Sequence, residues 1–176
     1  MVTCVENPAA MVGCTAGGRH WLRQTPRKAG VAIVRIETTR FGDLEIVEDH
    51  LLSFPAGIIG LEDCRQWVLL ADTSNDALGW LQSAQRPEIA LAVVSPRRFV
   101  PDYQVCVQRR EIEAIDIQDP SESQVLVIVG KNDRSITLNL KAPLLLNMEK
   151  QVGRQVVVTN DMPVQHELTL AKRAAA

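Results

Sequence analysis

Three histidines, four cysteines and a few adjacent carboxylates are the side chains of this 176-residue sequence best suited to chemistry. His20, His50 and His166 share neither an H-x-x-x-H nor an H-E-x-x-H spacing, so no helical turn sets two imidazoles on one face for zinc. Cys4, Cys14, Cys64 and Cys106 contain no C-x-x-C pair, which a zinc ribbon needs to close its tetrahedron. A chain able to build a full core has no need of disulfide staples, so all four cysteines are expected as reduced thiols in a cytoplasmic protein. Cys64 or Cys106 activated by His50 or His166 would make a small Cys-dependent hydrolase, but no flanking signature accompanies any of them. Glu48-Asp49 and Glu62-Asp63 are neighbours in sequence; on a strand they point to opposite faces and cannot cooperate in acid–base work. Gly57 and Gly60 lack the third glycine and the lysine of the nucleotide-binding fingerprints, and instead fit turns with positive φ. The expectation is no catalytic residue, no metal and no cofactor.

Charge separates the chain into parts. Residues 1–30 carry four basic side chains (Arg19, Arg23, Arg27, Lys28) against Glu6 alone, whereas residues 31–170 carry 13 basic against 20 acidic. An acidic domain repels phosphate backbones and suits a basic protein partner. Phe41, Phe54, Trp67, Trp80, Phe99 and Tyr103 are scattered rather than clustered as base-stacking platforms. An RNA-binding β domain is therefore the weaker alternative to protein binding, and direct nucleic-acid binding is not expected. No run approaches the roughly 20 apolar residues that span a bilayer as a helix.

The elements that must position any site are short strands. With 46% apolar residues, mainly Val, Leu, Ile and Ala, the chain can bury a core, and β-branched side chains suit a pleated surface. Strands are expected at 31–37, 44–47, 67–70, 78–83, 89–95, 103–107, 125–129, 134–140, 144–146 and 155–158. Phe41-Gly42-Asp43 should turn the first hairpin, and Gln85-Arg86-Pro87 the loop between 78–83 and 89–95. One helical turn fits 48–52, and a short helix fits 109–115, where Ile112 and Ile115 share a face. In 134–140 the alternation places Ile136, Leu138 and Leu140 on one side. Strand spacing of this kind predicts a mostly β protein: a small closed or nearly closed antiparallel barrel with one short helix. The domain runs over 31–170, with a tail at 171–176. Residues 1–30, rich in Gly and interrupted by Pro8 and Pro26, read as a flexible extension, with a true translation start near Val31 as the alternative.

Ordered motifs remain that chemistry does not explain. They are Thr38-Thr39-Arg40-Phe41-Gly42, then Phe54-Pro55-Ala56-Gly57-Ile58-Ile59-Gly60-Leu61-Glu62, Trp80-Leu81-Gln82-Ser83, Pro101-Asp102-Tyr103, Leu138-Asn139-Leu140-Lys141-Ala142-Pro143 through Asn147, and Gly153-Arg154-Gln155-Val156-Val157. In this order they closely resemble the flagellar assembly factor FliW family over about three quarters of the chain. Leu61 stands where Phe is usual and Ile59 where Pro is common. The ending Met162-Pro163-Val164-Gln165-His166 has Met and Gln where the family has Tyr and Arg; Gln165 cannot supply a charged fork.

The resemblance implies a closed or nearly closed barrel without enzymatic activity, working in the cytoplasm. It implies binding of CsrA, a small basic translational regulator of flagellin mRNA, and of flagellin itself. The acidic domain fits such a basic partner. The loops best suited to contact are Phe54, Pro55, Gly57, Ile58, Ile59, Gly60, Leu61 and Glu62, and the stiffened Pro101, Asp102 and Tyr103, where an exposed Tyr would anchor a partner. The competing reading of the first loop is that its apolar side chains plug one end of the barrel. Asn139 and Asn147 are expected to satisfy backbone groups at strand ends.

Overall fold

In the computed structural model the described residues are 2–5, 32–118 and 122–168. Their strands, in chain order, are β1 (Val2–Val5), β2 (Ile33–Thr38), β3 (Gly42–Val47), β4 (Leu51–Ser53), β5 (Gln66–Ala71), β6 (Leu78–Ser83) and β7 (Ala90–Val94). There follow β8 (Val105–Gln108), β9 (Gln124–Lys131), β10 (Ile136–Leu138), β11 (Leu144–Asn147), β12 (Val152–Gln155) and β13 (His166–Glu167). The one α-helix among the described residues, α1 (Arg109–Glu113), is shorter than the sequence suggests, but its apolar face holds: Ile112 and Ile115 are both buried. The turn expected at 48–52 is a 3-10 turn over Glu48–His50 that leads into β4.

Seven strands close the expected barrel: β4, β5, β6, β7, β9, β11 and β12. Neighbours are antiparallel except at the seam, where β12 returns to β4 through the single parallel pair Val152–Ser53. The backbone N–H of Ser53 adds a 2.8 Å bond to the Gln151 carbonyl there. β10 and β13 extend the sheet from β9 beyond the barrel.

The apolar runs make sense once both faces of the barrel wall are considered. In β5, Trp67 and Leu69 point into the interior with Leu52, Phe54, Ile58, Leu81, Val93, Leu126, Leu144 and Leu146. Val68 and Leu70 point outward and are covered by Ile36 and Ile46 of the β2–β3 hairpin. On the far side, Val125, Val127 and Leu145 face outward against Tyr103, Val105, Val107, Ile112, Ile115, Ile117, Val156 and Val158. A strand buried on both faces reads as continuous hydrophobicity rather than alternation, as Trp67-Val68-Leu69-Leu70 does.

Four expectations change. The closing strand is Val152–Gln155 and not 155–158. Val156 and Val158 still donate backbone N–H bonds to the carbonyls of Pro143 and Lys141, which keeps both side chains buried outside a regular ladder. In β10 the alternation fails: Ile136 is exposed and Thr137 buried, because Thr137 lies opposite Gly130, which has no side chain to displace it. Residues 2–5, expected within a flexible extension, form β1 against β8; their Val-Thr-Cys-Val composition suits a strand. Residues 6–30 and the 171–176 tail lie outside the described residues. Finally, Cys106 is disulfide-bonded, while Cys64 is free and buried.

Candidate protein-binding site

The loop after β4 is built by reversals. Gly57 (φ +70°) donates its N–H to the Phe54 carbonyl at 2.8 Å, and Leu61 does the same to Ile58 at 2.7 Å. Gly60 (φ +82°) sits at the second reversal, a conformation that a side chain disfavours. Gly57 has a further constraint: a Cβ there would lie 2.5 Å from the Glu62 Cα. These reversals send Phe54 and Ile58 inward and leave Ile59 62% exposed at the tip.

Phe54 is completely buried and meets Trp67 edge-on, with ring centroids 6.4 Å apart. Its place depends on Gly153 of β12, where a Cβ would lie 2.5 Å from the Phe54 ring. Burying Phe54 and Ile58 contributes roughly 1.5–3 kcal/mol each. The plug reading therefore holds for these two side chains, and neither presents a surface to a partner. Pro55, Ile59, Gly60 and Glu62 are exposed, and Leu61 is partly so.

Gln155 fixes the tip. Its Oε1 accepts the Ile59 N–H at 2.8 Å, and its Nε2 donates to the Ala142 carbonyl at 3.0 Å. One amide thus ties three of the sequence motifs together: the Phe54–Glu62 loop, Lys141-Ala142-Pro143 and Gly153-Arg154-Gln155. Glu62 accepts the Gly60 N–H at 2.9 Å, and that bond is the largest influence holding its carboxyl below the usual range. The result is a pre-ordered loop carrying one exposed aliphatic side chain and one carboxylate. Sequence reading placed the loop but assigned no part to Gln155; the G-x-Q spacing marked it without revealing what it holds.

The second expected loop behaves differently. Pro101 and Asp102 are exposed, but Tyr103 is 2% exposed and its hydroxyl donates to the Leu140 carbonyl at 2.7 Å. Burial raises the phenol pKa well above its ordinary value. The expected surface anchor is corrected to a core residue: an aromatic ring beside a carbonyl acceptor gains more from burial than from exposure. Phe54 and Ile58 enter the interior cluster and Tyr103 the outer one, so the two loops are anchored in separate cores.

The other motifs are structural. Thr38 Oγ1 accepts the Phe41 N–H and donates to the Gly42 carbonyl, shaping the first hairpin turn. Arg40 stacks over Trp80 with its guanidinium carbon 3.7 Å from the ring centroid, and Trp80 Nε1 donates to Asp72 at 2.9 Å. That bond is the largest of those holding the Asp72 carboxyl far below its usual range. Gln82, fully buried, donates to the Ser83 and Pro87 carbonyls at the β6–β7 turn. Asn139 Oδ1 accepts the Ala142 N–H, and Asn147 holds the Ile115 carbonyl and the Glu149 and Lys150 N–H groups, as expected of strand-end asparagines. Of the two candidate thiol nucleophiles, Cys106 is disulfide-bonded and Cys64 is 1% exposed. Among the described residues no cluster of three or more His, Cys, Asp or Glu side chains could hold a metal, and no helix is long and apolar enough to cross a membrane.

A closed barrel whose one pre-ordered loop offers an apolar tip defines a small β-barrel protein with a surface suited to contact. The profile of the FliW protein family matches residues 35–168. The chain is 30% identical over 139 residues to the flagellar assembly factor FliW of Natranaerobius thermophilus, covering 77% of this chain and 92% of that protein. It is 34% identical over 128 residues to that of Bdellovibrio bacteriovorus, covering 72% and 73%. A crystal structure of a flagellar assembly factor FliW superposes with a TM-score of 0.72 at 29% identity, covering 79% of this chain and 99% of that one. The chain belongs to the FliW family of flagellar assembly factors.

Proposed function

We propose that this protein is a non-enzymatic, cytoplasmic regulator that binds CsrA, relieves its repression of flagellin mRNA, and also binds flagellin, coupling flagellin synthesis to secretion. The carrying observation is the loop from Phe54 to Glu62, pinned by Gln155 and presenting Ile59 at 62% exposure. A pre-ordered apolar tip binds at lower entropic cost than a mobile one. The excess of carboxylates in residues 31–170 favours encounter with a basic partner such as CsrA. Contact centres on Ile59, flanked by Pro55, Gly60, Leu61 and Glu62; Pro101 and Asp102 form the second exposed candidate.

Calorimetry with the cognate CsrA and with flagellin tests this reading. Binding to both is expected, with Ile59→Ser weakening at least one. Absence of binding to either at concentrations on the order of tens of micromolar would remove the proposal. A gel shift with flagellin leader RNA and this protein alone should show no complex; a salt-dependent shift would favour direct RNA binding instead.

A further inference from the structure

Strand β8 lies within the family match at 35–168, whereas β1, which pairs with it, does not. The pairing is antiparallel and runs from Val2 opposite Gln108 to Val5 opposite Val105. Among the described residues β8 pairs with no other strand. Its remaining bonds show which edge β1 covers. The Cys106 carbonyl accepts the Thr159 N–H at 2.7 Å and the Thr159 hydroxyl at 3.0 Å, and the Gln104 carbonyl accepts Asn160 Nδ2 at 3.1 Å. Within a strand the N–H and C=O of one residue point to the same side, and successive residues alternate. Cys106 therefore turns its backbone groups to residue 159, while Val105 and Val107 turn theirs to β1. Thr3–Val107 and Val5–Val105 are then the pairs that exchange N–H···O=C bonds.

An edge that presents such backbone groups is a template for strand addition. The side chains of Val105 and Val107 are buried and pack in the outer core with Tyr103, Ile112 and Val127. Opposed residues of paired strands share a face, so a strand laid on this edge sets every second residue beside that core. Affinity then comes from the backbone, and the core side favours alternate apolar or β-branched residues over charged ones. Val2-Thr3-Cys4-Val5 is uncharged and β-branched at three of its four positions.

We propose that the β8 edge is a strand-accepting site and that β1 is its resident occupant, an autoinhibitory strand that an extended, uncharged segment of another protein must displace. The site uses no residue of the loop from Phe54 to Glu62, so it stands apart from contact there. Because β1 belongs to the same chain, it competes as a tethered ligand, at an effective concentration of up to about 1 mM. A strand arriving in trans gains the bonds to Val105 and Val107 only when β1 gives them up. The cis pairing thereby sets the threshold for binding at this edge.

Amide hydrogen exchange of the full chain tests this, with excess dithiol present throughout so that the Cys106 disulfide plays no part. Thr3→Pro removes the N–H that Thr3 donates to the Val107 carbonyl and should release β1. Val105 and Val107 are expected to exchange roughly tenfold or more faster than in the parent, with Leu69 and Val93 of the barrel unchanged. Tenfold protection from a tether near about 1 mM corresponds to a Kd of about 0.1 mM for the same strand in trans. An acetylated peptide of residues 1–6 carrying Cys4→Ser, added at about 1 mM, should therefore bring both valines back to within about threefold of the parent. The same peptide carrying Thr3→Asp and Val5→Asp as well should not. Two results overturn the proposal: no acceleration in Thr3→Pro, or acceleration that the first peptide fails to reverse. Acceleration that spreads to Leu69 and Val93 also overturns it, since β1 would then support the whole barrel. Protection by the aspartate peptide overturns the preference for an uncharged segment.

Discussion

The two loops expected to meet a partner use their apolar side chains in opposite ways. The loop from Phe54 to Glu62 reverses at Gly57 and Gly60, buries Phe54 and Ile58, and turns Ile59 outward. The Pro101-Asp102-Tyr103 loop turns without a glycine, Tyr103 donating its N–H to the Val100 carbonyl at 3.0 Å, and its single aromatic goes into the core against the Leu140 carbonyl. Two glycines give the first loop enough backbone freedom to serve core and surface together. The second loop has one large side chain, and burial takes it.

Substitutions should separate these roles. The largest effect is expected from Gly57→Ala, which places a Cβ against the Glu62 backbone at a positive φ. A loss of about 2–4 kcal/mol in denaturant unfolding should result, and a loss under about 1 kcal/mol would show that the reversal is not required. Tyr103→Phe keeps the ring but orphans the Leu140 carbonyl, so about 1–2 kcal/mol is expected in the same assay. Binding to CsrA and flagellin should be unaffected by that change; weakened binding would return Tyr103 to the contact surface. The smallest stability effect belongs to Ile59→Ser, within about 0.5 kcal/mol of the parent by thermal melt. If its melting temperature falls as far as that of Tyr103→Phe, Ile59 is a packing residue and the contrast between the loops disappears.

Much of this architecture was legible in the sequence. Trp67 to Leu70 and Val125 to Val129 read as buried strands because each faces apolar neighbours on both sides of the wall. The hairpin at Phe41-Gly42-Asp43, the β6–β7 pair and the strand-end asparagines follow from local turn chemistry. The misses are non-local. Nothing in Tyr103's neighbourhood reveals that Leu140 offers it an acceptor, nor in Thr137's that Gly130 lies opposite. The Gln155 clamp reaches across 96 positions to Ile59, so its spacing in the chain is silent about its use.

The seam of the barrel has a mechanical consequence. Every other junction around the ring is a ladder of at least two pairs, whereas β12 and β4 meet only at Val152 and Ser53. A hoop under load parts at its clasp, and here the clasp lies between two parts of the candidate site. Phe54 follows directly on β4, and Gln155, at the end of β12, grips the backbone of Ile59. The amide of Gln155 therefore acts as a stitch across the thinnest point of the ring. A partner seated on Ile59 would press on that stitch, so occupancy of one small loop would be felt as the stiffness of the whole circumference.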